Sequence, residues 1–390
     1  MDFALSDEQL MIQESAAGFL TAASDSAAVR AAMASPQGFD AQLWRQIAEE
    51  LCWPGLMIPE QYGGVGLGFV EQAILLEQMG SHLLCSPFFA SACLATPALL
   101  LGDSEVLRSR WLPELAAGSL TATLAYRENR DGWHAAEQPR AARQGDGWRL
   151  DGIYEAVLDG ASSDLLIVAS RDDAGELRLF AVPANQAGIR RQALPTLDQT
   201  RRRARIELSA VAVGTEQCLH GDGGGQRAGE QLLDKVLQVA AIALACEQTG
   251  AAQRTLDLTL AYIGERKQFG RTIASFQAIK HRCADLMLAI ECARSAGYYA
   301  ACVAREALIE GGDAQLAGQL AEACAIAKSQ ASETFMHCAA ESIQLHGGVG
   351  FTWEYDPHLY FKRARASEQL LGTPSWHRER LATLILETRP

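Results

Sequence analysis

The sequence has little of what several classes of function require. Its 390 residues include 34 Lys and Arg against 47 Asp and Glu, for a formal net charge of −13. Nucleic-acid-binding proteins present a basic face to phosphates, so this balance argues against a nucleic-acid partner. No stretch reaches the roughly 18 consecutive apolar residues of a membrane span. The first residues, MDFALSDEQL, lack the basic and apolar segments of a secretory signal, so we expect a cytoplasmic protein.

Metal and disulfide patterns are missing as well. Ten cysteines are scattered without a CxxC pair, and the eight histidines form no HxxxH pattern. Several of the cysteines lie in Ala-rich helical stretches, where a free thiol behaves as a small apolar side chain. We therefore expect a reducing compartment, no disulfide framework and no metal site.

The hydrophobic periodicity changes twice along the chain. Residues 1–118 have helical spacing, and Ser6 with Gln9 matches a capping box. Residues 119–225 contain short alternating runs between turns, typical of a small β-barrel or sandwich, and end in a Gly-rich linker at 221–225. Residues 226–390 return to long helices. This order differs from the alternating βαβ pattern of a doubly wound sheet, so we predict an α+β fold with three domains at these bounds.

One segment combines cations, glycine and aromatics. Residues 265–282 read ERKQFGRTIASFQAIKHR, and Gly270 interrupts the helical pattern between Arg266, Lys267 and Arg271. Guanidinium groups match phosphate oxygens, and a turn exposes backbone donors. The segment is either an anion-binding clamp or a solvated basic turn of an acidic protein.

This segment belongs to a set of motifs that makes the whole chain resemble the acyl-CoA dehydrogenase family. The resemblance implies an N-terminal helical domain, a middle β domain and a C-terminal four-helix bundle, with FAD between the β domain and the bundle. In chain order, the motifs are IPEQYGG at 58–64, DQTR at 198–201, RKQFG at 266–270 with FQ at 276–277, and QLHGGVGFT at 344–352.

The resemblance also implies a reaction. In this family a carboxylate removes the α-proton of an acyl-CoA thioester, and hydride from the β-carbon goes to FAD. The product is a trans-2-enoyl-CoA, and the reduced flavin passes its electrons to an electron-transfer flavoprotein. Because the α-proton is a poor acid, the base must lie close and the thioester oxygen must be hydrogen-bonded.

The cofactor positions follow from the same resemblance. Arg266 corresponds to the arginine that binds the FAD diphosphate across a subunit interface, so a dimer or a tetramer is implied. Glycines allow backbone N–H groups to approach phosphate without a Cβ, although a Gly pair here also fits an ordinary helix end. The other implied cofactor residues are Phe269, Arg271, Gln277, Gln344, Gly347, Gly348 and Thr373.

The catalytic base departs from the family pattern. Its two usual positions carry Leu371, before Gly-Thr, and Ala240. Glu247 lies two turns after Ala240 on the same predicted helix, roughly 10 Å along its axis, within an apolar run that disfavours a charged carboxylate. We take Glu247 as the preferred base and Glu368, one turn before Leu371, as the alternative. A buried ion pair with an arginine of the bundle would also explain Glu247.

The middle domain departs as well. Residues 124–129 (LAYREN) and 154–160 (YEAVLDG) replace the motifs with which the family contacts the flavin ring. In lacking these motifs, the chain resembles the branch of the family that acts on CoA thioesters of steroid side chains and similar bulky acids. Many enzymes of that branch resemble α2β2 heterotetramers. The resemblance therefore implies an FAD-dependent acyl-CoA dehydrogenase, a non-catalytic subunit of a heteromeric one, or a relative with other flavin chemistry.

Overall fold

The computed structural model describes residues 5–129, 132–133, 137–220, 227–309 and 311–388. It confirms the expected α+β order of helices, then strands, then a helical bundle. The chain forms two compact units. The helical unit contains Met1–Ala31, Phe69–Leu84 and Ala241–Pro390, and the sheet unit contains Ala32–Gly68 and Cys85–Ala240. The three domain bounds stay a prediction, and the Gly-rich linker at 221–225 lies outside the described residues.

The first part of the chain is helical. The Ser6 hydroxyl accepts the Gln9 N–H at 3.2 Å and the Gln9 side chain accepts the Ser6 N–H at 3.1 Å, which confirms the capping box. The π-helical stretch Gln46–Glu50 follows the short α-helix Ala41–Arg45, and a second one, Phe89–Ala95, precedes the short α-helix Thr96–Leu101. The α-helices are α1 (Asp7–Ala23), α2 (Ser26–Ala34), α3 (Ala41–Arg45), α4 (Phe69–Ser81), α5 (Thr96–Leu101) and α6 (Glu105–Ala116).

The expected middle β domain is present, and in the described residues it contains a seven-stranded sheet. Its strands run in the order β1-β4-β2-β3-β7-β6, with β5 paired to β4. The two twelve-residue strands, β3 and β7, are antiparallel, and β1 is parallel to β4. The strands are β1 (Ala122–Ala125), β2 (Arg140–Gln144), β3 (Gly147–Leu158), β4 (Leu165–Asp172), β5 (Leu177–Pro183), β6 (Ile189–Ala193) and β7 (Arg203–Gly214).

Long helices return after the sheet. A small hairpin, β8 (Lys267–Gln268) and β9 (Arg271–Thr272), follows the first of them. Among the described residues, no helix combines the length and the apolar character needed to cross a bilayer. The helices are α7 (Ala228–Glu265), α8 (Gln277–Leu308), α9 (Ala314–Ala317), α10 (Leu320–His346), α11 (Pro357–Gln369) and α12 (Pro374–Thr388).

Two glycines let α4 and α7 approach closely within the helical unit. A Cβ on Gly80 would lie 1.9 Å from the Glu247 carbonyl oxygen, and a Cβ on Gly250 would lie 1.8 Å from the Glu77 carbonyl oxygen. No side chain fits at either position without a backbone shift. The contact fixes the part of α7 that carries Glu247.

Candidate active site

Glu247 lies in a buried ion pair. Its carboxylate accepts a hydrogen bond from the Arg363 guanidinium of α11 at 2.6 Å, and the two side chains are 7% and 3% exposed. A buried charge persists only when it is paired and hydrogen-bonded. The pairing with an arginine of the bundle is thus present, and the role of Glu247 as a base stays a prediction.

Glu368 has a different environment. It lies on α11 and pairs with Arg365, and its side chain is 17% exposed against 55% for the arginine. Such partly solvated pairs contribute little to stability. The two candidate bases have different ion-pair partners, Arg363 for Glu247 and Arg365 for Glu368, and therefore different environments.

The two usual positions of the family base are apolar and fully buried. Ala240 on α7 and Leu371 after α11 are both 0% exposed. Leu371 and Gly372 have φ angles of 58° and 84°, so the turn contains two consecutive left-handed residues. Leu371 is strained in this conformation because its Cβ approaches the following carbonyl.

Thr373 completes this turn and begins α12. Its hydroxyl accepts the Trp376 N–H at 3.2 Å and lies 3.0 Å from the Ser375 hydroxyl. This is the contact of a helix N-cap, and Pro374 follows in the first helical position where it is tolerated. Thr373 therefore has a structural role, and its cofactor role stays a prediction.

The basic segment forms a hairpin rather than a simple helix break. Phe269 and Gly270 have φ angles of 54° and 76°, the two left-handed positions of a tight hairpin turn. Phe269 is 92% exposed, and the Arg271 guanidinium lies 3.9 Å from the centre of the Phe276 ring. Gln277 is exposed at the first residue of α8.

The Gly-Gly motif forms the end of α10. Gln344 is exposed in the last turn, and the Gly347 N–H bonds back to the carbonyls of Ile343 and Gln344. Gly347 has a φ of 65°, and a Cβ on Gly347 or Gly348 would meet nothing within 4 Å. The motif is thus a helix end that also leaves open space over its backbone.

An aromatic stack brings these two motifs together. Tyr262, in the last turn of α7, stacks on His346, in the last turn of α10, with ring centroids 4.3 Å apart and an interplanar angle of 19°. Thr259 donates to Ser342 at 2.8 Å one turn earlier on both helices. The hairpin and the Gly347–Gly348 turn therefore leave the bundle side by side.

In the sheet unit, the segment after β1 is tied down by its own neighbours. Arg127 donates from its side chain to the Ile153 carbonyl at 2.8 Å, and its backbone N–H donates to Gln138 at 2.8 Å. The Tyr126 hydroxyl donates to Glu128 at 3.1 Å, and burial, followed by the Glu128 charge, raises the pKa of this tyrosine. These contacts are those of ordinary strand-edge residues.

Two other features complete the inventory of sites. The described residues contain no group of three or more His, Cys, Asp or Glu side chains arranged for a metal ion. A polar cavity of about 180 Å³ lies in the helical unit, lined by residues that include His82, Arg254, Asp356 and Tyr360. None of the predicted site residues lines it.

The family assignment comes from comparison with known proteins. The models of the N-terminal and C-terminal domains of acyl-CoA dehydrogenases match residues 6–119 and 227–386. The acyl-CoA dehydrogenase IpdE2 of Mycobacterium tuberculosis is 36% identical over 390 residues, with 98% of each chain covered. The chain belongs to the acyl-CoA dehydrogenase family. As a member it is an oxidoreductase whose cofactor is FAD.

Solved acyl-CoA dehydrogenase structures confirm the fold. A variant of the steroid acyl-CoA dehydrogenase Tcur3481–Tcur3483 is 30% identical, with a TM-score of 0.84 and 98% of both chains covered. One chain of the ChsE4–ChsE5 complex from Mycobacterium tuberculosis is 26% identical, with a TM-score of 0.88 and full coverage of both chains. These similarities confirm the resemblance to the steroid-related branch of the family that the sequence predicted.

The residues present fit an FAD diphosphate. Within the described part of the chain, Arg266, Lys267 and Arg271 are exposed and form no ion pair, so no carboxylate neutralises their charges there. The open backbone at Gly347 and Gly348 lies beside them. Guanidinium groups and unobstructed backbone donors are the chemistry that binds phosphates in proteins.

Sequence reasoning missed three buried residues in this acyl-CoA dehydrogenase. They are Arg363, which pairs with Glu247, and Lys328 and His377, which bind the turn at Leu371. The available signal was weak. Small residues surround Lys328 in the sequence (Ala325, Ala327, Ser329 and Ala331), whereas polar neighbours are typical of a solvent-exposed lysine. This difference is the signal that could have indicated its burial.

Proposed function

We propose that the chain is a subunit of an FAD-dependent acyl-CoA dehydrogenase that converts an acyl-CoA thioester to the trans-2-enoyl-CoA. An electron-transfer flavoprotein takes the electrons. The observation that supports this best is the unpaired cationic hairpin at 266–271 beside the open Gly347–Gly348 turn, within a chain of this family. When bound, FAD accepts the hydride that leaves the β-carbon.

The residues of this chain would hold the cofactor mainly by charge. Arg266 and Arg271 supply guanidinium groups, and Gly347 and Gly348 supply backbone N–H groups without a Cβ in the way. By resemblance, this surface serves the FAD of a neighbouring subunit. We therefore propose a dimer or a tetramer as the working form, in the cytoplasm.

We assign the base to Glu247, with Glu368 as the alternative. The Arg363 guanidinium keeps the Glu247 carboxylate hydrogen-bonded inside an apolar region, and Gly80 packs on its backbone. A fixed, water-excluded carboxylate is what abstraction of an α-proton requires. The proton of the substrate Cα would pass to a carboxylate oxygen of Glu247. The hydrogen bond from Arg363 to that carboxylate would weaken as the carboxylate becomes neutral.

A second candidate is a non-catalytic subunit of a heteromer. The observation that favours it is the apolar, fully buried side chain at both usual base positions, Ala240 and Leu371, combined with the engagement of Glu247 by Arg363. In that form the chain would complete the FAD site of a related partner with its hairpin and glycine turn. The ChsE4–ChsE5 complex is a two-component neighbour in fold, consistent with an α2β2 assembly.

For the substrate we propose a CoA thioester of a bulky acid such as a steroid side chain. The support is the similarity to a solved steroid acyl-CoA dehydrogenase at 30% identity over 98% of both chains. The acid would be distinguished from straight-chain fatty acids by the shape of the pocket that holds it.

The deciding experiment is purification of the full chain alone and co-expressed with candidate partner subunits, followed by visible spectra. A yellow protein whose flavin bleaches anaerobically with a steroid side-chain acyl-CoA, and less with a straight-chain acyl-CoA, supports catalysis by this chain. A colourless chain that turns yellow only with a partner supports the non-catalytic subunit. Failure to bind FAD in every combination contradicts both.

A further inference from the structure

The turn between α11 and α12 is held in a strained shape. Leu371 is a buried, non-glycine residue with a φ of 58°, and Gly372 follows with a φ of 84°. A branched side chain in the left-handed region persists only where surrounding contacts over-determine it. The contacts that do so come from two buried cationic or basic side chains.

Lys328 on α10 supplies the first set of contacts. Its side chain is 0% exposed, and its ammonium donates to the Ser332 hydroxyl at 2.8 Å and to the carbonyls of Ser367 and Gly372 at 3.2 Å each. An ammonium has three protons to donate, and two of these acceptors are backbone carbonyls at the end of α11 and in the turn. Because burial of a charge is costly, such a lysine is retained where its hydrogen bonds specify a shape.

His377 on α12 supplies the second contact. Its Nε2 lies 2.8 Å from the Leu371 carbonyl, which can only accept, so the ring donates there. Burial, and then the nearby Lys328 charge, lowers the pKa of His377 to about 3, so the ring is neutral near pH 7. The carbonyls of both left-handed residues are therefore bound by buried donors, one from each helix.

The network continues to the helix that carries Glu247. The Ser332 hydroxyl lies 3.1 Å from the side-chain oxygen of Gln248, the residue after Glu247 on α7. One chain of hydrogen bonds thus links α7, α10 and the turn.

We propose that Lys328 is a positioning residue that fixes the 371–373 turn and, through it, the placement of Thr373 toward FAD. The link to FAD rests on the proposed function, whereas the hold on the turn rests on the contacts alone. Lys328 touches neither substrate nor cofactor in this proposal. Its effect on the reaction would be indirect.

The test compares the full-length wild type with Lys328→Met and with Ser329→Ala as a matched control. Ser329 is also buried on α10, but its hydroxyl bonds to the helix carbonyls of Ala325 and Ile326 and does not contact the turn. Amide hydrogen exchange followed by mass spectrometry reports on residues 371–377 separately from α7 and α8. FAD affinity is measured by fluorescence quenching on the same samples, in the oligomeric form that binds FAD.

For Lys328→Met we expect exchange at residues 371–377 to rise at least about tenfold, because the turn loses its hydrogen bond from Lys328 to Gly372 and α11 loses the one to Ser367. Exchange in α7 and α8 stays unchanged, and FAD affinity falls at least about tenfold. Ser329→Ala matches the wild type in both measurements. If the methionine variant does not fold, Ser332→Ala removes one acceptor of the ammonium with little change in volume, and we expect a smaller increase confined to the same residues.

Unchanged exchange in the turn, or an equal increase throughout the bundle, would overturn the proposal. A looser turn with unaltered FAD affinity would overturn the connection to the cofactor. Failure of the proposed function has a different signature, since the wild type would then bind no FAD in any assembly. The exchange data would in that case still decide whether Lys328 holds the turn.

Discussion

Individual charged residues in the helical unit are buried together with their partners. Glu247 and Arg363 pair at 2.6 Å, and the Lys328 ammonium is bound by one hydroxyl and two carbonyls. The burial of Glu247 follows from its apolar neighbours in sequence. Its partner could not be predicted, because 116 residues separate the two and only the packing of α11 on the bundle joins them.

The role of Glu247 gives the first prediction. If Glu247 is the base, Glu247→Gln reduces turnover at least about 100-fold, since a positioned base contributes a factor of this size or more. Glu368→Gln is the control and retains near-normal turnover. The measurement is anaerobic flavin reduction by an acyl-CoA. Near-normal turnover of Glu247→Gln would remove this residue from the role, and loss in the control would transfer the role to Glu368.

Loss of the charge must be separated from loss of the fold. Glu247→Gln breaks the buried ion pair with Arg363, and breaking a buried pair costs about 3–5 kcal/mol. The double variant Glu247→Gln with Arg363→Met removes both charges and is expected to recover much of the free energy of unfolding. If it also recovers turnover, the single variant had lost its fold rather than its base.

His377 gives a prediction about acid stability. Its pKa is lowered to about 3 by burial and by Lys328, whereas an unfolded histidine titrates near its usual 6.5. Between these values the unfolded chain binds more protons, so stability falls as the pH decreases through this window, by up to about 1.4 kcal/mol per pH unit. His377→Gln keeps a donor for Leu371 without this titration. We expect its unfolding free energy to depend less on pH between 6 and 4, by about one proton.

The check is urea unfolding of both proteins at several pH values. Parallel pH profiles for the wild type and the variant would contradict the assignment. His346 and His82 also have pKa values lowered by burial, so a residual slope in the variant is expected.

At the scale of elements, strong periodicity predicted well and weak patterning did not. The helical spacing expected over residues 1–118 corresponds to the helices α1 to α6. Strands β2 and β6 were missed because RAARQ and IRRQA are charged and mostly exposed, without apolar alternation. Helix α11 was missed because its sequence, PHLYFKRARASEQ, has many charges and few apolar repeats.

The glycine contact between α4 and α7 gives an element-scale prediction. In Gly80→Ala the added Cβ meets the Glu247 carbonyl oxygen at 1.9 Å, so the helices must separate. We expect destabilisation of about 2 kcal/mol, the usual cost of overpacking. Gly264→Ala is the control on α7, because its Cβ would meet nothing within 4 Å, and it is expected to stabilise by about 0.5–1 kcal/mol. Thermal unfolding measures both, and equal Tm values for the two variants would show that the contact is not tight.

For the molecule as a whole, the order of its parts and its family were accessible from the sequence, and its assembly was not. The four motifs occur in an order that one fold explains, and the comparisons confirm that fold. The sequence does not predict whether the hairpin contacts a second copy of this chain or a related subunit. Either partner would offer the same group, an FAD diphosphate, to the hairpin. Under the proposed function, the exposed hairpin and glycine turn are the part of the site that an assembly completes.

A complementation experiment distinguishes the two assemblies. In a homodimer that shares FAD across its interface, each site combines Glu247 of one chain with Arg266 of the other. Arg266→Ala and Glu247→Gln are each expected to be poorly active alone at limiting FAD. After unfolding and refolding of an equal mixture, half of the dimers are hybrids with one intact site, so activity returns to about a quarter of the wild type.

The outcome depends on which chain supplies Glu247 and which supplies Arg266 to a given site. If both belonged to the same site of one chain, every site in the mixture would lack one of them and no activity would return. A heteromer in which a partner carries the base behaves differently, because Glu247→Gln then retains activity while Arg266→Ala does not. Recovery in the mixture would therefore establish a site shared between copies of this chain, in which the exposed Arg266 of one chain completes the cofactor site of the other.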